Sequence, residues 1–211
     1  MTLPELSSLA EQFADYGLTL TEEQLAQVRT YLDLLFRWNR RINLTAIRQP
    51  LAIVRQLFAE SIYLTRLLPL HGRLLDVGTG AGFPGLALKL AVPALDVTLL
   101  EASHRKCAFL KEVVRGLHLP SVTVVAERFE VWAAAQPPQA FDVVTTRAVA
   151  VTPKFLTLTQ TLLRVRATLA LYTSVAAAAA ISESTTAFAW SPPAFLPHTR
   201  ARVILVGSKI V

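Results

Sequence analysis

The chain has 211 residues, 53% of them hydrophobic, and a formal net charge of +6, which allows one sizeable core and one domain with an appendage. No apolar run reaches the roughly 18 residues of a membrane span, so the positive mean hydropathy reads as a buried sheet and no membrane partner is expected. A single cysteine, Cys107, excludes an internal disulfide, and His71, His104, His118 and His198 show no ligand spacing, so no metal site is expected.

Charge is unevenly placed. Residues 1–28 carry five acids and no Lys or Arg, whereas residues 29–73 carry eight arginines against Asp33 and Glu60. Residues 148–211 carry six bases against Glu183. Two basic segments suit a polyanion partner, and Arg is the side chain best matched to phosphate; solvated helix faces are the other reading. The acidic, polar start (Glu5, Ser7, Ser8, Glu11) is not that of a signal peptide, and a cytoplasmic location is expected.

The first 70 residues read as helices. Pro4 suits the first turn of a short helix that Gly17 would end. Thr21 and Gln24 form a capping-box pattern ahead of Leu25, Val28, Leu32, Leu35 and Phe36 at helical spacing. A third helix from Pro50 turns Leu51, Val54, Leu57, Phe58 and Ile62 inward and stops at Pro69. From Arg73 strands and helices alternate: strands at 74–77, 96–101, 121–126, 141–146 and 168–173, helices after each of the first four, and two tail strands near 185–191 and 202–207 as a hairpin. The expected fold is therefore α/β, a mostly parallel, seven-stranded Rossmann-like sheet over residues 71–211, with a helical extension over residues 1–70.

DVGTGAGFPG (76–85) stands where the first strand hands over to a helix, the place of a nucleotide-cradling loop. Gly78, Gly80 and Gly82 let backbone turn tightly and approach a ligand. Glu101, ending the second strand, is placed to accept from ribose hydroxyls. Gly80, Gly82 and Gly85 also satisfy the dinucleotide fingerprint. Asp76 favours a cationic donor, S-adenosylmethionine, over a pyrophosphate, and the chain is short for a dinucleotide fold plus a substrate domain. Arg128-Phe129-Glu130 follows the third strand, where Phe129 would flank an adenine; the same residues also read as a plain helix start with Glu130 in its first turn. Arg147, ending the fourth strand at the transfer point, is the catalytic candidate, able to meet a carboxylate, a phosphate or a guanine oxygen. No Asn/Asp-Pro-Pro-Tyr string follows that strand, Cys107 lies mid-helix, and no His–carboxylate pair offers a base. A ring-nitrogen acceptor that needs only positioning fits best.

Together, WNRRINLTAI (38–47), GTGAGFPG (78–85), KCAFL (106–110), Arg128-x-Glu130 and TRAVA (146–150) resemble the small-subunit ribosomal RNA guanine-N7 methyltransferase G family, also called glucose-inhibited division protein B. The resemblance runs from about residue 20 to 170 and implies a class I S-adenosylmethionine-dependent methyltransferase of 16S RNA. It implies Gly78, Phe83, Phe129, Glu130 and Arg147 as cofactor-pocket positions, with Asn39, Asn43 and Thr45 buttressing the helical cap. Arg37, Arg40, Arg41 and Arg48 are the expected RNA contacts, and Ser61 lies on the family's substrate side. Two departures stand there: Leu57 replaces the family's histidine in His-x-x-Asp-Ser, and Tyr172-Thr173-Ser174 replaces its Lys-Gly. The expected partner is 16S RNA or a small-subunit assembly intermediate, and the expected state a monomer. A small-molecule methyltransferase, or a donor-binding protein without catalysis, are the competing readings.

Overall fold

In the computed structural model, which describes residues 3–210, the N-terminal third is helical because its apolar residues recur every three or four positions. Helix α1 (Leu6–Ala14) buries Leu9 and Phe13. Pro4 precedes its N-cap, Glu5, instead of occupying the first turn as expected. Helix α2 (Glu22–Asn39) starts on the expected capping box: Gln24 N donates to Thr21 Oγ1 (3.2 Å) and Thr21 N to Gln24 Oε1 (2.8 Å).

The run from Pro50 departs from a single α-helix. Helix α3 (Pro50–Ile53) passes into a π-helical turn (Val54–Ala59), followed by α4 (Glu60–Ile62) and α5 (Leu64–Leu67). A π turn holds extra residues and rotates whatever follows. Glu60 and Ser61 therefore join Phe58 and Ile62 in the interior, while Leu57, expected to face inward, is only half-buried.

The remainder alternates as expected: β1 (Arg73–Val77), α6 (Gly85–Ala91), β2 (Asp96–Leu100), α7 (His104–Gly116), β3 (Val122–Val125), α8 (Phe129–Ala134), β4 (Phe141–Arg147), α9 (Pro153–Leu162) and β5 (Leu163–Ser174). Then come α10 (Val175–Ser184), β6 (Phe188–Trp190), β7 (Ala194–Phe195) and β8 (Arg202–Lys209). Helix α10 grows from the alanine tract, which carries no apolar stripe to read; Ser174 caps it by accepting from Ala177 N (3.2 Å). The sheet runs β3-β2-β1-β4-β5-β8-β6, with the two-residue β7 paired to β8 as one strand more than expected. Neighbours from β3 to β5 are parallel, and β8 is antiparallel to β5, β6 and β7.

Alternate strand residues face opposite sides. Leu74, Val97, Val143 and Ala170 share a hydrophobic cluster with α1, α2 and the residues around the π turn. Leu75, Leu100, Val144 and Leu171 pack with Phe129, Phe155 and Ile181. Strand order reverses between β1 and β4, which leaves a crevice at the carboxyl ends of the strands, the place where open α/β sheets bind ligands.

Candidate active site

The loop after β1 is held from below by β2: Gly78 N (2.8 Å) and Thr79 N (3.1 Å) both donate to Leu100 O. Gly82 N and Phe83 N then return to Thr79 O, closing the turn that launches α6. Gly80 needs its glycine for conformation, since φ is +59° while the space around it is open. Glu101, one residue past β2, reaches back into this turn. Its Oε2 accepts from Gly80 N (3.0 Å) and its Oε1 from Ser103 N (2.9 Å), and Lys106 Nζ stands 4.0 Å away.

Beside Glu101 lies a cleft of about 270 Å³ bounded by Gly78, Ala102, Glu127, Arg128, Phe129 and Glu130. Its wall carries three carboxylates (Glu101, Glu127, Glu130) against Arg128, which suits a cation and repels a pyrophosphate. Phe129, nearly buried against Phe155 at 5.0 Å between ring centroids, supplies an aromatic surface there. Each Glu101 oxygen keeps a lone pair for a ligand hydroxyl. Val149, in the loop after β4, leans over Gly78: a Cβ there would meet its Cγ2 at 2.3 Å. These residues fit S-adenosylmethionine: an acidic carboxyl end for its ribose, an apolar ring for its adenine, and no net positive charge against its sulfonium.

The structure separates other expected residues from this cleft. Asp76 is fully buried beneath the loop, its Oδ2 accepting from Gly85 N (2.8 Å) and its Oδ1 from Thr145 Oγ1 (3.2 Å). Burial pushes its carboxyl up to about 7, against the pull of those hydrogen bonds. It therefore holds the loop–helix junction and does not line the cleft, a correction to its expected place beside the donor. Phe83 is corrected likewise: it stacks on Tyr31 (5.5 Å, 9° between planes) and meets Phe58 edge-on at 4.8 Å, inside the core shared with α2. Gly82 faces Tyr31 rather than the cleft.

Arg147 also turns elsewhere. Its Nη2 pairs with Glu60 Oε2 (2.9 Å), while Arg202 Nη2 stands 2.7 Å from Glu60 Oε1. Glu60 is fully buried, and desolvation lifts its carboxyl above the usual value despite both arginines. These three, with Tyr172 and Leu196, line a second cavity of about 250 Å³ at the ends of β4 and β5. The cofactor-pocket placement of Arg147 is thus corrected to this neighbouring cavity. Ser61 is buried, its hydroxyl donating to Leu57 O and its carbonyl accepting from Tyr172 Oη (2.5 Å), which removes it as an RNA contact.

At the far end of α2, Arg37, Arg40 and Arg41 surround Trp38 at an open hollow of about 330 Å³. Asn39 shapes the loop behind them, donating to Thr45 O (2.9 Å) and accepting from Leu44 N and Thr45 N; Asn43 is exposed and stands outside these hydrogen bonds. Arg48 is exposed beyond that loop. Cys107 is buried with its thiol on Glu101 O (3.2 Å), and burial raises its pKa, so it is no nucleophile. Among the described residues no helix is long and apolar enough to cross a membrane, and no group of three His, Cys, Asp or Glu is placed to hold a metal ion.

Fold and cleft together define an S-adenosylmethionine-dependent methyltransferase with the class I architecture. Among solved structures, a SAM-dependent methyltransferase from Aquifex aeolicus superposes with TM-score 0.62 over 77% of this chain and 94% of its own, at 16% identity. The YcgJ protein of Bacillus subtilis superposes at 0.58 over 72% of this chain and 98% of its own, at 12% identity. The family model described as rRNA small subunit methyltransferase G matches residues 24–200, and the chain belongs to that family. Its relatives include ribosomal RNA small subunit methyltransferase G of Chromobacterium violaceum, 42% identical over 77% of this chain and 76% of the relative. That of Chloroflexus aggregans is 45% identical over 67% of this chain, a match spanning 60% of the relative's length.

Proposed function

We propose that the chain transfers a methyl group from S-adenosylmethionine to N7 of a guanine in 16S ribosomal RNA, with the cleft between Gly78, Glu101 and Phe129 as the donor's berth. The observation that carries this reading is Glu101, a carboxylate tied by the Gly80 and Ser103 amides into one orientation at the crevice of the sheet. The donor supplies an electrophilic methyl on a positively charged sulfur. Glu101 accepts from the ribose hydroxyls, Phe129 covers the adenine, and Glu127 and Glu130 keep the wall acidic.

Guanine N7 has a free lone pair, so the residues around it need to position the base and need not take a proton. In A-form RNA that atom lies in a deep, narrow groove, so the target must be unpaired or distorted. Arg37, Arg40, Arg41 and Arg48 take the surrounding phosphates along the helical extension that ends near residue 70. Arg147 and Arg202 stand on the acceptor side, at the ends of β4 and β5. A monomer in the cytoplasm, working on 16S RNA or an assembly intermediate, follows from this reading.

Deleting the gene and mapping N7-methylguanosine in 16S RNA by borohydride–aniline cleavage tests it. One cleavage site should vanish, returning with the wild-type gene and not with Glu101→Ala. An unchanged cleavage pattern in the deletion strain would overturn the proposal.

A further inference from the structure

The glycine loop has a second support, from a residue that neither its sequence motif nor the cleft lining contains. Tyr31, in the middle of α2, sends its hydroxyl to Ala81 O at 2.5 Å. Ala81 is almost fully buried, so that carbonyl has no ready water to replace the phenol. The same oxygen explains Gly82: a Cβ at that position would lie 2.1 Å from Tyr31 Oη. The Tyr31 ring is itself immobilised, parallel to Phe83 and edge-on to Phe58 at 5.1 Å. Burial and the nearby Asp76 raise its phenol well above the usual value, so it remains a donor across the physiological range.

Two sides of one short turn are therefore gripped by different parts of the fold. Glu101 takes the Gly80 amide from the cleft side, and Tyr31 takes the Ala81 carbonyl from the helical side. Between Gly78 and Gly82 three residues have positive φ, and a turn of that kind has little side-chain packing of its own. Glu101 can stay aimed at a ligand only if the amide it accepts from stays in place.

We propose that Tyr31 is a positioning residue for methyl-donor binding, fixing the glycine loop from behind so that Glu101 meets the donor's ribose. The proposal rests on the donor's placement given above. It also assigns α2 a double task, since the helix that ends at the Arg37–Arg41 hollow is the one that braces the donor's loop.

Tyr31→Phe tests this, because it removes one oxygen and keeps the ring against Phe83 and Phe58. In the ligand-free variant, the Gly82 and Phe83 amides, both bonded to Thr79 O, should exchange with deuterium about tenfold faster than in wild type. Calorimetry with S-adenosylhomocysteine should show Kd raised about five- to tenfold, with affinity for a 16S RNA fragment unchanged. Unchanged exchange and unchanged Kd would overturn the proposal, as would an equal loss of donor and RNA affinity, the mark of general destabilisation. Glu101→Ala separates the two ideas. If it leaves the S-adenosylhomocysteine Kd at the wild-type value, the cleft placement itself fails; if it weakens binding and Tyr31→Phe does not, only the role of Tyr31 fails. Should Tyr31→Phe not fold, Gly82→Ala drives a carbon against the Tyr31 oxygen instead, and wild-type exchange at the loop amides in that variant would equally overturn it.

Discussion

Among the described residues two carboxylates, Asp76 and Glu60, are fully buried, and the fold deals with them in opposite ways. Asp76, under the glycine loop, has no cation beside it and is met by a backbone amide and a hydroxyl. Glu60, at the ends of β4 and β5, is met by two arginines. The first arrangement keeps a neutral acid that locks backbone; the second sets two cations against an acid whose desolvation they only partly offset, beside a cavity. The Glu101 end of the crevice is thus built by local turns, and the Glu60 end by charges brought from distant parts of the chain.

The largest expected effect separates these modes by pH. The unfolded chain releases the Asp76 proton near the ordinary aspartate value of 3.8 and the folded chain near 7, so the folded state retains a proton the unfolded state has lost. Stability then falls as pH rises through that window, by about 4 kcal/mol from this group. Asp76→Asn keeps both an acceptor and a donor and removes the titration. Its urea-derived stability should change between pH 4 and pH 7 by about 3 kcal/mol less than that of wild type. An equally steep profile in the variant would show that Asp76 is ionised throughout, and the contrast with Glu60 would vanish.

Glu60→Ala attacks the other arrangement. It leaves Arg147, four-fifths buried, facing Arg202 without a counter-charge. A loss of about 3 kcal/mol in denaturant unfolding is expected, the scale of a broken buried ion pair reduced for the partial exposure of Arg202. Arg202→Ala, which still leaves Arg147 on Glu60, should cost well under half of that.

This difference also decides what could be read from the chain before it folded. The glycine turn, Glu101 and Phe129 lie within strand–loop–helix units, where spacing along the chain is nearly spacing in space, and their places were legible. Asp76 was legible as a residue at the end of the first strand but not as one locked beneath the loop, because its partners Gly85 and Thr145 come from the next helix and another strand. Phe83 carried a motif signal that packing against Tyr31 and Phe58 accounts for. Glu60 and Ser61 depended on the π turn, which shifts helical phase and leaves no periodic mark. Tyr31 falls outside the Leu25, Val28, Leu32, Leu35 and Phe36 stripe and carries no signal in the chain; only the contact with Ala81, 50 residues away, shows what its hydroxyl does. Proximity of Arg147, Arg202 and Glu60 across 87 and 142 positions had no signal at all.

Within the donor cleft, Glu101→Ala is the sharper probe. Removing the carboxylate deletes two acceptors for the ligand and also frees the Gly80 and Ser103 amides. An affinity loss for S-adenosylhomocysteine of about a hundredfold is expected, equivalent to about 3 kcal/mol for hydrogen bonds to a charged group. Glu60→Gln, by contrast, should leave that affinity within about twofold, since Glu60 lines only the second cavity. Equal losses in both would mean that the two ends of the crevice form one site.

The smallest effects belong to the arginine hollow, where single charges are exposed. Arg40 and Arg41 lie in water and lose little by substitution, so Ala at either position should leave folding and donor affinity unchanged. What should change is the dependence of RNA binding on salt. Each phosphate contact contributes about 0.7 to the slope of log K against log salt for single-stranded RNA, so each substitution should flatten that slope by roughly this amount, equally for RNAs of different sequence. Filter binding from low to physiological salt measures it. A slope equal to wild type would place the RNA elsewhere, and the six bases beyond residue 148, among them Arg202 at the second cavity, would then be the polyanion track.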